Sequence, residues 1–273
     1  MLGPPLTAGE AEVFETVIVP RYLTFFAGMA VEMAIASSSA RVLHLGCRTG
    51  YPDEQLAARF ADGWLYGVDP SAEAIERARA RVAHLPPGRV SYQQVAGVPT
   101  PYPDSSFSHA VTLHPLGGPP ERTALIAELA RLVVPGGQVL VGLPLRGSFP
   151  EIADMLREFA LRQDQADFAA AVEQSWAGRA SVETIADELG EAGFTDVDVD
   201  VQLLSVSFPS GREFLDDPIT RMLVLPDVRA SLRAEPAVLD AAVRYLDAAV
   251  SRYWSEGPFE LTVNVGCASA RRQ

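Results

Sequence analysis

The stretch Val42-Leu43-His44-Leu45-Gly46-Cys47-Arg48-Thr49-Gly50 decides the fold. A short, mostly apolar run stops at Gly46, the pattern of a buried strand that runs into a tight loop. Working outward, residues 53–60 carry a helical pattern, and Trp64-Leu65-Tyr66-Gly67-Val68 is a second strand. Ser71 stands where a helix N-cap belongs, ahead of the Ala-rich, charged stretch Ala72–Val82. Val90–Val95 and Phe107–Leu113 make strands three and four. Residues 121–133 form an amphipathic helix ended by Pro135-Gly136-Gly137, and Gln138–Leu143 is strand five.

Strands alternating with helices at this spacing predict a doubly wound, mostly parallel sheet. Such sheets bind ligands at the carboxyl ends of their strands, so the functional loops follow Leu45, Val68, Val95 and Leu113. The second half reads differently. Residues 148–173 are helical throughout, and Ser181 opens a helix that ends at Ala192-Gly193. Val197–Ser207 is a strand, and Arg212–Ala249 is helical with interruptions at Pro218, Pro226 and Pro236. Phe259–Val265 is the last strand. No repeat or linker divides the chain, so 1–273 reads as one domain: helical additions in 1–40, a core sheet over 41–207, a helical insertion over 208–257 and a closing strand within 258–267.

Composition narrows the function. Hydrophobic residues make up 48% and charged residues 21% of 273, enough apolar surface for a core. Val17–Ala36 carries Pro20, Arg21 and Glu32, and reads as a buried helix rather than a membrane span. Met1–Glu10 has no basic start and no apolar core, unlike a signal peptide. The net charge is −13 and every basic side chain besides histidine is Arg. Such a surface repels phosphates, which argues against a nucleic-acid partner. Cys47 and Cys267 lie far apart, which suits a reducing cytoplasm and offers no metal-ligand spacing.

Five segments in register resemble the class I S-adenosylmethionine-dependent methyltransferase family. They are the opening stretch 42–50, Gly67-Val68-Asp69-Pro70-Ser71, residues 101–107, residues 129–137 and residues 191–197, covering about 41–207. The resemblance implies a seven-stranded Rossmann-like sheet with S-adenosylmethionine as cofactor, and an N-terminal helix that either lids the pocket or simply packs on the sheet. It places Gly46, Cys47, Arg48, Gly50, Asp69, Ala96 and Gly97 around the cofactor, with Asp69 accepting the ribose hydroxyls. The chain departs from the pattern at three positions. Arg48 replaces the middle glycine, His44 replaces an acidic residue, and Ala96 stands where an acidic residue often follows strand three.

The cofactor's sulfonium is positive, and an Arg about 5 Å away repels it by roughly 3 kcal/mol at an effective dielectric near 20. That is about a hundredfold in affinity. Arg48 escapes the penalty by turning to the cofactor's carboxylate or to solvent. The three departures point to an eroded site, in a protein that is non-catalytic or weakly active and has a binding or regulatory role. The alternative is an active methyltransferase on a small molecule. A third reading is a pocket for an anionic ligand drawn to Arg48 and His44. The partner is a small molecule or a protein.

His114, at the end of strand four, is the candidate general base, or else a loop histidine beside Pro115. His109 and His114 have no third ligand in the sequence pattern, so no metal is expected. Leu113-His114-Pro115-Leu116 stands where amino-group methylases of nucleic acids carry an Asn/Asp-Pro-Pro-aromatic segment. Aromatic residues in Val13–Ala36 and in 208–257 either pack as core or cap a pocket.

Overall fold

The computed structural model describes residues 2–255 and 257–273. Seven strands form one sheet: β1 Arg41–Leu45, β2 Trp64–Asp69, β3 Val90–Gln94, β4 Phe107–Leu113, β5 Val133–Pro144, β6 Phe194–Phe208 and β7 Phe259–Arg272. Their order is β3-β2-β1-β4-β5-β7-β6. Strands β1 to β5 pair in parallel, and β7 lies antiparallel between β5 and β6. The chain winds one way from β1 to β3 and the other way from β4 onward. The loops after β1, β2 and β4 therefore meet at one end of the sheet, where this topology opens a cleft.

Burial explains the strand types. Val139, Leu140 and Val141 in β5 are all fully buried, as expected for a strand covered on both faces. β6 is the edge strand and alternates: Val197 and Val199 pack inward while Asp196, Asp198 and Asp200 are exposed. Leu125, Leu129 and Ile185 cover one face of the sheet, and Ile18, Tyr22, Phe26 and Met29 of the N-terminal helix help to cover the other.

Several boundaries differ from the sequence reading. β6 and β7 are longer than Val197–Ser207 and Phe259–Val265, because they pair with one another from Phe194↔Arg272 to Phe208↔Phe259. The core sheet therefore extends past 207, and its closing strand past 267. Pro135-Gly136-Gly137 does not follow the helix as a separate stop. The helix Pro119–Leu132 ends first, β5 begins at Val133, and the register against β4 shifts between Phe107 and His109. Residues 148–173 are two helices, Pro150–Arg162 and Ala166–Ala177, separated where Asp164 takes a left-handed φ of 50°.

Two prolines lie inside helical stretches that absorb them. The N-terminal helix runs without a break over Ala8–Met33, capped by Thr7, and its Phe14–Leu23 section widens to a π-helix around Pro20. The insertion repeats the device: the wide turn Thr220–Val224 leads directly into Leu225–Ser231, so Pro226 does not interrupt it. A wide turn leaves slack in the hydrogen-bond ladder where proline has no N–H to give. Ala8–Met33 has the length and hydropathy to cross a membrane, yet half of its most apolar window is buried within the protein.

Candidate functional site

The loop after β1 is tied to the end of β2. Gly46 N–H and Cys47 N–H both donate to Val68 O, at 2.8 and 3.0 Å. Gly46 and Gly50 each take φ +77°, a conformation glycine adopts without penalty. Arg48 takes φ +48° with a side chain, a left-handed residue that costs roughly 1–2 kcal/mol. Its backbone offsets this, because Arg48 N–H donates to Asp69 Oδ2 at 3.0 Å. Ser71 N–H donates to Asp69 Oδ1 at 2.9 Å. Asp69 is fully buried at the end of β2. Burial pushes its carboxyl above the ordinary range, against the pull of the Arg48 guanidinium and these N–H groups.

The Arg48 side chain does not turn to solvent. It turns to the Asp69 carboxylate and the N-terminal segment: Nη1 lies 3.7 Å from Asp69 Oδ1 and donates to Pro4 O at 2.7 Å. Burial lowers the guanidinium pKa, and Asp69 opposes that shift. Pro4 belongs to a segment, 2–6, that lies across the loop as a strap. Leu2 is buried in the same apolar cluster as Leu45, Val68 and Val95, and its Cδ2 lies 3.4 Å from where a side chain on Gly46 would begin. Gly3, at φ +82°, faces the guanidinium so closely that any side chain there would collide with it. Ser71 Oγ accepts from Leu6 N–H at 3.0 Å and donates to Leu6 O at 3.1 Å.

His44 is not simply a lost acid. Its Nδ1 sits 2.6 Å from Asp53 Oδ1, and Tyr92 OH donates to Asp53 Oδ2 at 2.7 Å. All three residues are buried. Burial first, then Asp53, holds the Tyr92 hydroxyl protonated at any ordinary pH. A carboxylate thus returns beneath the loop from the first turn of the helix Asp53–Arg59. Cys47 is also buried, which pushes its thiol well above the usual range and leaves it no nucleophilic role at neutral pH. Ala96 and Gly97 follow β3 on the outside, with Ala96 exposed, while the preceding Val95 packs in the cluster that holds Leu2.

His114 is far from a plain loop histidine. It sits at the end of β4 with φ +50°, and is 5% exposed. Its Nε2 is 2.9 Å from Tyr22 OH, and the rings of Tyr22 and Phe26 meet it edge-on at 5.4 Å. Nδ1 has no hydrogen-bond partner. Burial pushes its pKa down to about 4, so the ring is neutral at pH 7. His109 is apart from it, bonded to Ser108 and Ile35. Between His114 and the β1 loop lies a cavity of about 20 Å³ that reaches Arg48 and Gly46. That is room for about one water. The backbone fits the cofactor, since two left-handed glycines flank a buried acid; the Arg48 side chain and the strap must move to admit it.

Sequence reasoning missed Asp53 and the strap. An acid at the start of a helix just after the loop was the available signal for Asp53, whereas nothing local announces the strap.

Residues 42–137 match a family model described as a methyltransferase domain. A trans-aconitate 2-methyltransferase of Methylobacterium nodulans is 37% identical over 111 residues, 40% of this chain and 40% of that protein. A malonyl-[acyl-carrier protein] O-methyltransferase of Halorhodospira halophila is 26% identical over 186 residues, 65% of this chain and 56% of that one. The chain thus spans about half the length of these curated relatives. Among solved structures, the YcgJ protein of Bacillus subtilis is similar in fold, with a TM-score of 0.58 at 14% identity, covering 92% of this chain and 99% of that one. Phosphoethanolamine N-methyltransferase 2 of Haemonchus contortus, solved with S-adenosyl-L-methionine, gives 0.57 at 15% identity, covering 97% and 57%. Residues 42–137 are thus similar to methyltransferase domains, and the seven-stranded sheet is that of the methyltransferase fold.

Proposed function

We propose that this chain is a class I S-adenosylmethionine-dependent methyltransferase that transfers a methyl group to a small molecule, and that its donor cleft opens only when the strap 2–6 lifts away. Asp69 carries the reading. It is buried at the end of β2 beside the glycine-bracketed β1 loop, fixed by the N–H groups of Arg48 and Ser71, and its Oδ1 faces the space that Arg48 and the strap fill. Gly46 and Gly50 would let the backbone pass under the cofactor, and Asp69 would accept the ribose hydroxyls. The cofactor, when bound, supplies an electrophilic methyl group on a sulfonium. Orientation then does most of the work. Neutral His114 serves the acceptor: with Nε2–H donated to Tyr22 Oη, Nδ1 is a free lone pair that can hold a proton released by the acceptor.

The strap is weak enough to move. Burying Leu2 contributes about 2 kcal/mol. The Arg48–Pro4 bond adds about 2 and the two Ser71–Leu6 bonds about 1 each. Ordering five residues costs about 1–2 kcal/mol apiece. The two sides cancel within a few kcal/mol, whereas a ligand of micromolar Kd is worth about 8 kcal/mol.

Calorimetric titration with S-adenosylmethionine tests this on the full chain, on the chain lacking residues 2–6 and on Arg48→Gly. The expected result is about tenfold or greater tightening in each variant. A second reading is favoured by the Arg48–Asp69 contact: a methyltransferase fold that binds or regulates without transferring methyl groups. Absence of heat from both folded variants as well as the parent would sink the first reading in favour of that one. The relatives' names cover acceptors as unlike as trans-aconitate and 27-O-demethylrifamycin SV, so they do not choose an acceptor for this chain.

A further inference from the structure

On the far side of Leu116 from the donor loop lies a second cavity, of about 30 Å³, lined by Arg179, Asp227, Ser175 and Ser231. Arg179 is 7% exposed, and its guanidinium lies 4.9 Å from the ring centre of Phe149 and 5.4 Å from that of Trp176. Nε and Nη2 make no hydrogen bond. These two nitrogens form the edge whose parallel N–H groups match a carboxylate. Arg122 shows the edge filled: its Nε and Nη2 donate to Glu188 at 2.6 and 2.7 Å. Asp227 Oδ2 comes within 2.8 Å of Arg179 Nη2, but off the line of the N–H, so neither atom completes a bond. A buried guanidinium edge without its bonds is costly, and an anionic ligand is the simplest group to satisfy it.

The cavity has an approach from the surface. Ser175 and Ser231, whose hydroxyls lie 2.8 Å apart, also line an outer groove of about 320 Å³. Pro119, Pro120, Gln174 and Arg233 make up its walls with Ala171. That volume is in the range of small-ligand sites. Arg233 has no ion-pair partner among the described residues, and so places an uncommitted positive charge at the mouth of a chain whose net charge is −13.

We propose that this groove and cavity bind a small organic carboxylate, which passes Arg233, parts the Ser175–Ser231 pair and seats its carboxylate on the Nε–Nη2 edge of Arg179. Asp227 competes for the same edge and swings away when the ligand arrives. Calling the molecule the methyl acceptor rests on the reading above; its binding does not.

The test is calorimetric titration of the full chain, without donor, using succinate, its uncharged counterpart succinamide, and sulfate. Succinate alone is expected to bind. Arg179→Met should weaken it by about tenfold or more, and Arg233→Ala by a few-fold, since it supplies only attraction at the mouth. Asp227→Asn should tighten it by releasing the edge. If Arg179→Met does not fold, Arg179→Lys keeps the charge but not the fork and should also weaken succinate. Equal binding of succinamide, or an Arg179 variant that holds succinate like the parent, overturns the site. Sulfate binding as tightly as succinate would make it a general oxyanion site and overturn the carboxylate assignment. Because no donor is present, failure here is distinct from failure of methyl transfer, which is read separately by donor titration.

Discussion

The two sides of the cleft treat their polar groups differently. On the donor side the carboxylates are taken by the chain itself: Asp53 by His44 and Tyr92, Asp69 by Arg48 and Ser71. Across the cleft an imidazole nitrogen of His114, a guanidinium edge of Arg179 and an oxygen of Asp227 are buried without hydrogen bonds, whereas the loop side leaves His44 Nε2 and Thr49 Oγ1 unpartnered but none of its carboxylate oxygens. A site whose partners are built in holds its shape before any ligand comes. A site with orphaned groups is stabilised by what it binds, since each unmade bond costs more than a made one gains. On the proposed reading, the donor side rations access through the strap, and the acceptor side selects by chemistry.

That contrast can be broken experimentally. The largest effect is expected at Asp53. Asp53→Ala leaves His44 Nδ1 and Tyr92 OH buried without a partner, and should cost about 3–5 kcal/mol in urea unfolding. A loss below about 1 kcal/mol, the scale of a surface pair, would mean that the donor side is not held by its paired groups.

Next comes pH. His114 has a folded pKa of about 4 against an ordinary 6.5, so the unfolded chain binds more protons between those values. Stability from this residue is complete above pH 6.5 and falls as the pH drops towards 4, by up to about 3 kcal/mol. The steepness should flatten in His114→Gln, measured by urea unfolding at a series of pH values. An unchanged slope would place the acid sensitivity elsewhere and leave His114 already satisfied.

The smallest effect sharpens the picture of the strap. Ser71 caps the helix Ala72–Arg81 through Ala74 N–H and holds Leu6 by two bonds. Ser71→Ala should cost about 1 kcal/mol overall, with hydrogen exchange at the Leu6 amide faster by a larger factor than at core amides. Uniform acceleration would show that the strap opens only when the whole domain does.

Much of the fold could be read locally. The apolar runs of β1, β2 and β4 and the caps at Ser71 and Ser181 announce themselves within a few residues. Pro226 was misread as an interruption and the wide turn at Pro20 went unmarked, because a proline in sequence looks the same whether it breaks a helix or is accommodated in or after a π turn. At the site, Gly46, Gly50 and Asp69 were legible as a motif. The direction of Arg48 was not, since it is set by Pro4, 44 residues away in sequence. Arg179 and Asp227 were invisible for the same reason: their proximity is a product of how the insertion folds back, and no spacing encodes it.

The edge strand β6 bears on how copies of the chain behave towards each other. Asp196, Asp198 and Asp200 project from it at every second residue, while Val201 and Leu203 beyond them are exposed. A bare edge carrying exposed apolar residues invites another strand to add on. Like charges in a row deter this, because a second β6 laid alongside would bring its own aspartates near the first set. The protection is electrostatic, so concentrated salt and acid should both weaken it, and crowding of molecules would then matter more than the stability of any one of them.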